Sequence, residues 1–137
     1  MRYGTLDGIR NEVALLARLM LVVLFLIFGW SKLGDYGGTV GYMAAKGAPM
    51  PALAAIVAIV MEVPVSILIA VGFYTRPLAL LMAFYTLATA LIGHPYWTME
   101  GAEHAANMIN FFKNISIAGG FLLLCLTGPG RYSFDRR

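Results

Sequence analysis

Pro51-Ala-Leu-Ala-Ala-Ile-Val-Ala-Ile-Val-Met-Glu62-Val-Pro-Val-Ser-Ile-Leu-Ile-Ala-Val-Gly-Phe73 is an apolar run with one ionisable residue near its middle. A helix crosses a bilayer with about 20 such residues, so the run reads as a membrane span. An ionised group at the centre of a span costs about 2.5–3.5 kcal/mol on insertion scales. The Glu62 carboxylate must therefore be paired or protonated, and it should face the interior of a bundle. A residue held at that cost marks a site.

Three more apolar segments flank this run: Val13–Leu33, Pro77–Gly93 and Met108–Thr127. The chain has 137 residues, 60% of them hydrophobic and 12% charged, with a mean hydropathy of +0.76. That composition lies far outside the range of soluble domains. The fold class predicted is an all-α integral membrane protein, one four-helix transmembrane bundle spanning residues 1–137. Thr75-Arg76-Pro77 reads as a helix start with proline in the first turn, so the second and third spans form a tight hairpin. The first segment is preceded by Arg2 and Arg10, as a signal peptide would be. Its apolar run is too long for one, and Gly29-Trp30-Ser31-Lys32-Leu33 follows in place of a small-residue cleavage site. It reads as a retained helix.

Four spans place both termini and the loop at Arg76 on one side. That side carries Arg2, Arg10, Arg76, Arg131, Arg136 and Arg137, while the other carries Lys32 and Lys46 with Asp35, Glu100 and Glu103. The positive-inside rule then predicts cytoplasmic termini, with Trp30, Tyr42, Tyr96 and Trp97 at the outer interface. The net charge of +3 is spread over ends and loops, without the dense basic patch that nucleic acid requires. Cys125 is the only cysteine. No intramolecular disulfide or Cys-x-x-Cys redox pair can form, and Cys125 reads as a small buried hydrophobe.

A helical wheel puts Arg18, Phe25, Gly29 and Lys32 on one face of the first span, and Ala55, Ala58, Glu62 and Ser66 on one face of the second. Ala79, Ala83 and Ala90 lie beneath His94 on the third, and Asn110, Lys113, Ser116 and Gly120 fall together on the fourth. These small or polar faces are predicted to point inward, where small residues let helices approach in lipid. At 1.5 Å per residue, Arg18 lies roughly 8–10 Å inside one boundary and Glu62 roughly 15 Å from either. Arg18 and Lys113 are both candidate partners for Glu62.

Two readings of these charges stand. One is a structural clamp that sets helix register, since a buried pair specifies arrangement and is costly to break. The other is a polar cavity open to the outside, in which His94 and Lys113 bind an anionic or quinone-like headgroup and Glu62 accepts a proton. Glu100, Glu103 and His104 could meet on one helical turn, but they read as a solvated loop, and no metal is predicted. The segment from Thr39 to Lys46, closed by Gly47-Ala48-Pro49, reads as a short interfacial helix over the outer end. Phosphate-binding loops and nucleophile motifs are absent from the sequence.

Several stretches in order resemble the DoxX family of small bacterial inner-membrane proteins, and within it the YqjF-like members. They are the run from Arg18 to Leu33 with Gly29-Trp30-Ser31-Lys32, Gly47-x-Pro49, the Glu62 helix, Gly72-Phe73-Tyr74-Thr75-Arg76-Pro77, His94, and Lys113-Asn114 through Asp135. The resemblance implies a four-helix bundle in the inner membrane. It carries the family's recurring polar positions onto Arg18, Lys32, Glu62, His94, Lys113 and Asn114. It also implies an accessory subunit of a membrane redox system that binds a quinone or small anion, with a redox-enzyme partner or a second copy beside it. The rival expectation is a non-enzymatic scaffold or small-solute permease of the same fold.

Overall fold

Asp7–Gly34, Pro51–Val71, Thr75–Thr98 and Gly101–Thr127 are helical stretches long and apolar enough to cross a membrane, in a computed structural model that describes residues 4–135. Arg2, Arg136 and Arg137, used above for orientation, lie outside the described residues. The elements are α1 (Arg10–Gly34), α2 (Tyr36–Ala45), α3 (Pro51–Val60), α4 (Ser66–Val71), α5 (Thr75–Gly93) and α6 (Gly101–Thr127). A π turn, Met61–Val65, joins α3 to α4, and among the described residues no strand occurs.

The ends of these helices follow from local chemistry. Asp35 breaks α1 from α2: its N–H donates to the Ser31 and Lys32 carbonyls, and its side chain accepts from Gly38 N at 3.0 Å, capping α2. Gly47, at φ 74°, ends that short helix. Pro51 opens α3 in the first turn, where its missing N–H costs nothing. At the end of α4, Gly72 N donates to Ile69 O and Phe73 N to Leu68 O. This is a Schellman closure, which needs the left-handed backbone of Gly72 at φ 75°.

The helices form a ring in which α1 lies beside α3 and α4, the π turn and α4 beside α5, α5 against α6, and α6 back against α1. Arg131 N donates to Asn11 Oδ1 at 3.1 Å, so both chain ends lie at one end of the bundle. The core is midway along it, with Val22, Phe25, Ile69, Met82 and Phe121 buried and the Phe25 and Phe121 rings 5.7 Å apart. One joint of the ring is incomplete. The π turn and α4 pack on α5, but the backbone of α3 comes close to neither α5 nor α6, so the two hairpins diverge toward the end away from the termini.

Three details differ from the sequence reading. The second span is two helices with a π turn at its centre, because Pro64 has no N–H for an α-helical bond; Ser66 Oγ donates to the Met61 carbonyl there at 3.3 Å. The fourth span starts earlier, at Gly101, and its inward face is Asn114, Ala118, Phe121 and Leu124. Lys113 and Ser116 point outward, because the bulk of Phe121 and Leu124 fills the core and outweighs the polar stripe.

Candidate functional site

Glu62 lies in the π turn. Its carboxylate accepts from Lys32 Nζ, 3.1 Å from each oxygen, and from the Tyr85 hydroxyl at 3.1 Å. Three elements thus converge: α1 supplies Lys32, the π turn Glu62 and α5 Tyr85. Gly29 makes the approach of α1 feasible. A Cβ added there would lie 2.6 Å from Glu62 Cβ and 2.9 Å from the Glu62 carbonyl carbon, closer than packed atoms allow.

Lys32 has a second face. With Phe28, Ser31, Asp35, Gly38, Thr39 and Tyr42 it lines a groove of about 320 Å³ at the corner between α1 and α2, and its ammonium stands 6.0 Å from the centre of the Phe28 ring. The Lys32 side chain remains 24% exposed and that of Glu62 8%. The pair therefore connects a solvent-facing groove to the interior of the bundle. Asp35 sits in the same groove and opposes the charge of Lys32.

Arg18 lies elsewhere. Level with Ala70, it is about eleven residues down α1 from Gly29, or about 16 Å at the helical rise, beyond the reach of its side chain to Glu62. Its guanidinium donates to the Ala70 carbonyl at 3.0 Å, the Tyr132 carbonyl at 2.6 Å and the Pro129 carbonyl. It clamps the C-terminal segment against α1 and α4. The same segment caps α5: Asp135 accepts from Tyr74 N at 2.9 Å and Thr75 N at 2.8 Å, a carboxylate at a helix N-terminus. Tyr132 donates to Glu12 at 3.0 Å, and that hydrogen bond, with the Glu12 charge, raises the phenol above its ordinary pKa.

The remaining expected residues gather on α5 and α6. His94 Nδ1 meets Asn107 Oδ1 at 2.9 Å, Asn114 Nδ2 donates to Thr89 Oγ1 at 3.2 Å, and Lys113, exposed, donates to Asn110 Oδ1 at 3.1 Å. The six positions therefore divide into three groups, and only Lys32 and Glu62 meet. The partner of Glu62 is Lys32, in place of Arg18 or Lys113. Lys113 is directed away from the bundle, and Arg18 lies too far along α1. Tyr85 was missed by the sequence reading, although a phenol in mid-span signals a buried acceptor, because its hydroxyl needs one in lipid.

A family model described as DoxX matches residues 13–95. Inner membrane protein YphA of Escherichia coli strain K12 is 58% identical over 137 residues, covering 100% of this chain and 98% of the relative. Inner membrane protein YqjF of the same strain is 43% identical over 122 residues, 89% of this chain and 88% of the relative. A Surfeit locus protein 4 homolog of Schizosaccharomyces pombe is 24% identical over 130 residues, 93% of this chain but 38% of that protein. No solved structure matches the chain. With four membrane-spanning helices and relatives of this identity over nearly its whole length, the chain belongs to the DoxX family and is a multi-pass inner-membrane protein.

Proposed function

We propose that the Lys32–Glu62–Tyr85 cluster is the ligand site of an accessory subunit in a membrane redox system, and that the ligand is a quinone or small anion. The observation that carries this reading is the double engagement of Lys32, which pairs with Glu62 while lining the groove beside Phe28, Thr39 and Tyr42. Two aromatic side chains, an ammonium and the hydroxyls of Ser31, Thr39 and Tyr42 in one groove suit a flat carbonyl compound, whose ring packs on the aromatics while its oxygen accepts from Lys32. Asp35 in the same groove disfavours a free anion, so the quinone is preferred. Glu62, one side chain further in, is a proton acceptor beside that oxygen. With one cysteine in the chain, electrons would come from a partner enzyme, which makes this protein the binding subunit. Cytoplasmic termini belong to the same proposal, and they put the groove on the outer face.

The test is titration of a short-chain ubiquinone analogue into the purified protein in nanodiscs, with the double substitution Lys32→Met and Glu62→Gln alongside. The double variant removes both charges and strands neither. Saturable binding by the parent and loss of it in a folded double variant support the reading. A parent that binds nothing favours the scaffold, for which the self-satisfied Lys32–Glu62 pair is the specific observation.

A further inference from the structure

The site has two sides, and only one of them is the groove. On the other side Tyr85 reaches across from α5 to Glu62 at the level where the hairpins separate: the π turn packs on α5, and the backbone of α3, immediately beyond it, does not. Above Tyr85 the backbones of α3 and the second half of α5 are therefore not packed on one another, which leaves a joint of the ring unclosed. Its surroundings are apolar. Every exposed residue of α3, namely Ala52, Leu53, Ile56, Val57 and Val60, is a hydrocarbon side chain, and on α5 Ala88 and Ile92 continue the face of Tyr85 by one and two turns and are exposed.

We infer that the site is entered sideways from the bilayer, through the opening between α3 and the Thr86–Gly93 part of α5, by an uncharged amphiphile whose compact polar head passes Tyr85 and Glu62 to reach Lys32 and leaves its chain in the opening. This rests on the reading of the cluster as a ligand site and adds its route and the class of ligand. The walls are hydrocarbon, so the part of the ligand left in the opening is an apolar chain. The head is uncharged because the carboxylate at the floor is already neutralised by Lys32, and a further charge would be unpaired in a low dielectric. A head that carries a hydroxyl, as the reduced quinol does, finds partners here: it donates to the carboxylate or phenol oxygens, which retain lone pairs beyond those in the present hydrogen bonds. The polar groove beyond Lys32 connects the same carboxylate to water. Lipid access and water access thus meet at one ion pair.

Carbodiimides test the route directly, since a neutral carboxyl adds across their C=N bond. The carboxyl oxygen bonds to the central carbon and its proton passes to nitrogen; an acyl shift then leaves a stable adduct carrying the whole reagent. Lipid-soluble dicyclohexylcarbodiimide approaches from the bilayer and a water-soluble carbodiimide from the groove. In Lys32→Met the carboxyl loses its counter-ion, so dicyclohexylcarbodiimide labelling of the Glu62 peptide should rise severalfold over the parent. Adding Ala88→Trp, which fills the opening, should return labelling to the parent level. Adding Ser31→Trp, which fills the groove, should not. Each variant is first checked for a cooperative unfolding transition in detergent, and Glu62→Gln should give no adduct. Protection by Ser31→Trp and not by Ala88→Trp overturns the lateral route. Failure of the ligand reading looks different: labelling follows the lateral pattern while the ubiquinone analogue does not bind.

Discussion

Arg18 and Glu62 are both charged, both within spans and both almost wholly buried, 1% and 6% exposed, yet they are satisfied in opposite ways. Arg18 is held by three backbone carbonyls, two of them from the C-terminal segment. Glu62 is held by two side chains from two other elements. Carbonyls fixed by their own helices and turns neither titrate nor rotate away, so the Arg18 contacts form a latch. An ammonium on a flexible stem and a phenol can both exchange partners, so the Glu62 contacts are of a kind a ligand can enter. The energetic lesson is that a buried charge indicates function only when its partners are themselves exchangeable.

Breaking the latch should have the largest effect. Arg18→Gln removes a planar donor set that a shorter neutral amide cannot replace. A loss of about 3–5 kcal/mol is expected, comparable to removing one partner of a buried pair, read as unfolding free energy in detergent with earlier proteolysis of the segment after Thr127. Arg18→Lys should recover only part of it. Wild-type stability in Arg18→Gln would show that the C-terminal segment is held by other contacts.

A second prediction concerns the close approach of α1 to the π turn. Gly29→Ala places a methyl against Glu62 and Val63 and should cost about 1–3 kcal/mol as an overpacking change. Gly34→Ala, where an added Cβ meets nothing within 4 Å, should be neutral or slightly stabilising. Equal effects at the two glycines would mean that α1 shifts freely at the site.

Lys113 marks the small end of the scale. It is exposed, and its partner Asn110 lies one turn away on the same helix, so Lys113→Met should change stability by about 0.5 kcal/mol or less, as for other surface changes. It should also leave binding of a ubiquinone analogue unaltered. A separable binding defect there would move the site to the α6 face.

Much of this architecture was legible in the sequence, because four apolar segments near bilayer length leave few alternatives. The inward faces of the first three spans were legible too, for Arg18, Phe25, Gly29, Ala55, Ala58, Ala79 and Ala83 all lie on stripes of small or polar residues. The fourth was not, since Lys113 and Asn114 are adjacent polar residues and either could have faced the core, and only the packing of Phe121 separates them. The pairing at the site depended on register. Whether Glu62 meets Arg18 or Lys32 is decided by where the π turn sits against Gly29, and a local periodicity carries no information about the offset between two helices. Tyr85, a phenol in mid-span, carried a signal of its own, but which acceptor it meets depended on the same offset.

The most direct test of the comparison is a pair of double-mutant cycles on unfolding free energy in detergent. Lys32→Met with Glu62→Gln should cost less than the sum of the single changes, by about 1–3 kcal/mol, because the double change leaves no stranded charge. Arg18→Gln with Glu62→Gln should be additive, since the two lie far apart and share no partner. Additivity in the Lys32 cycle, or coupling in the Arg18 cycle, would contradict the division of the molecule into a latch and a site.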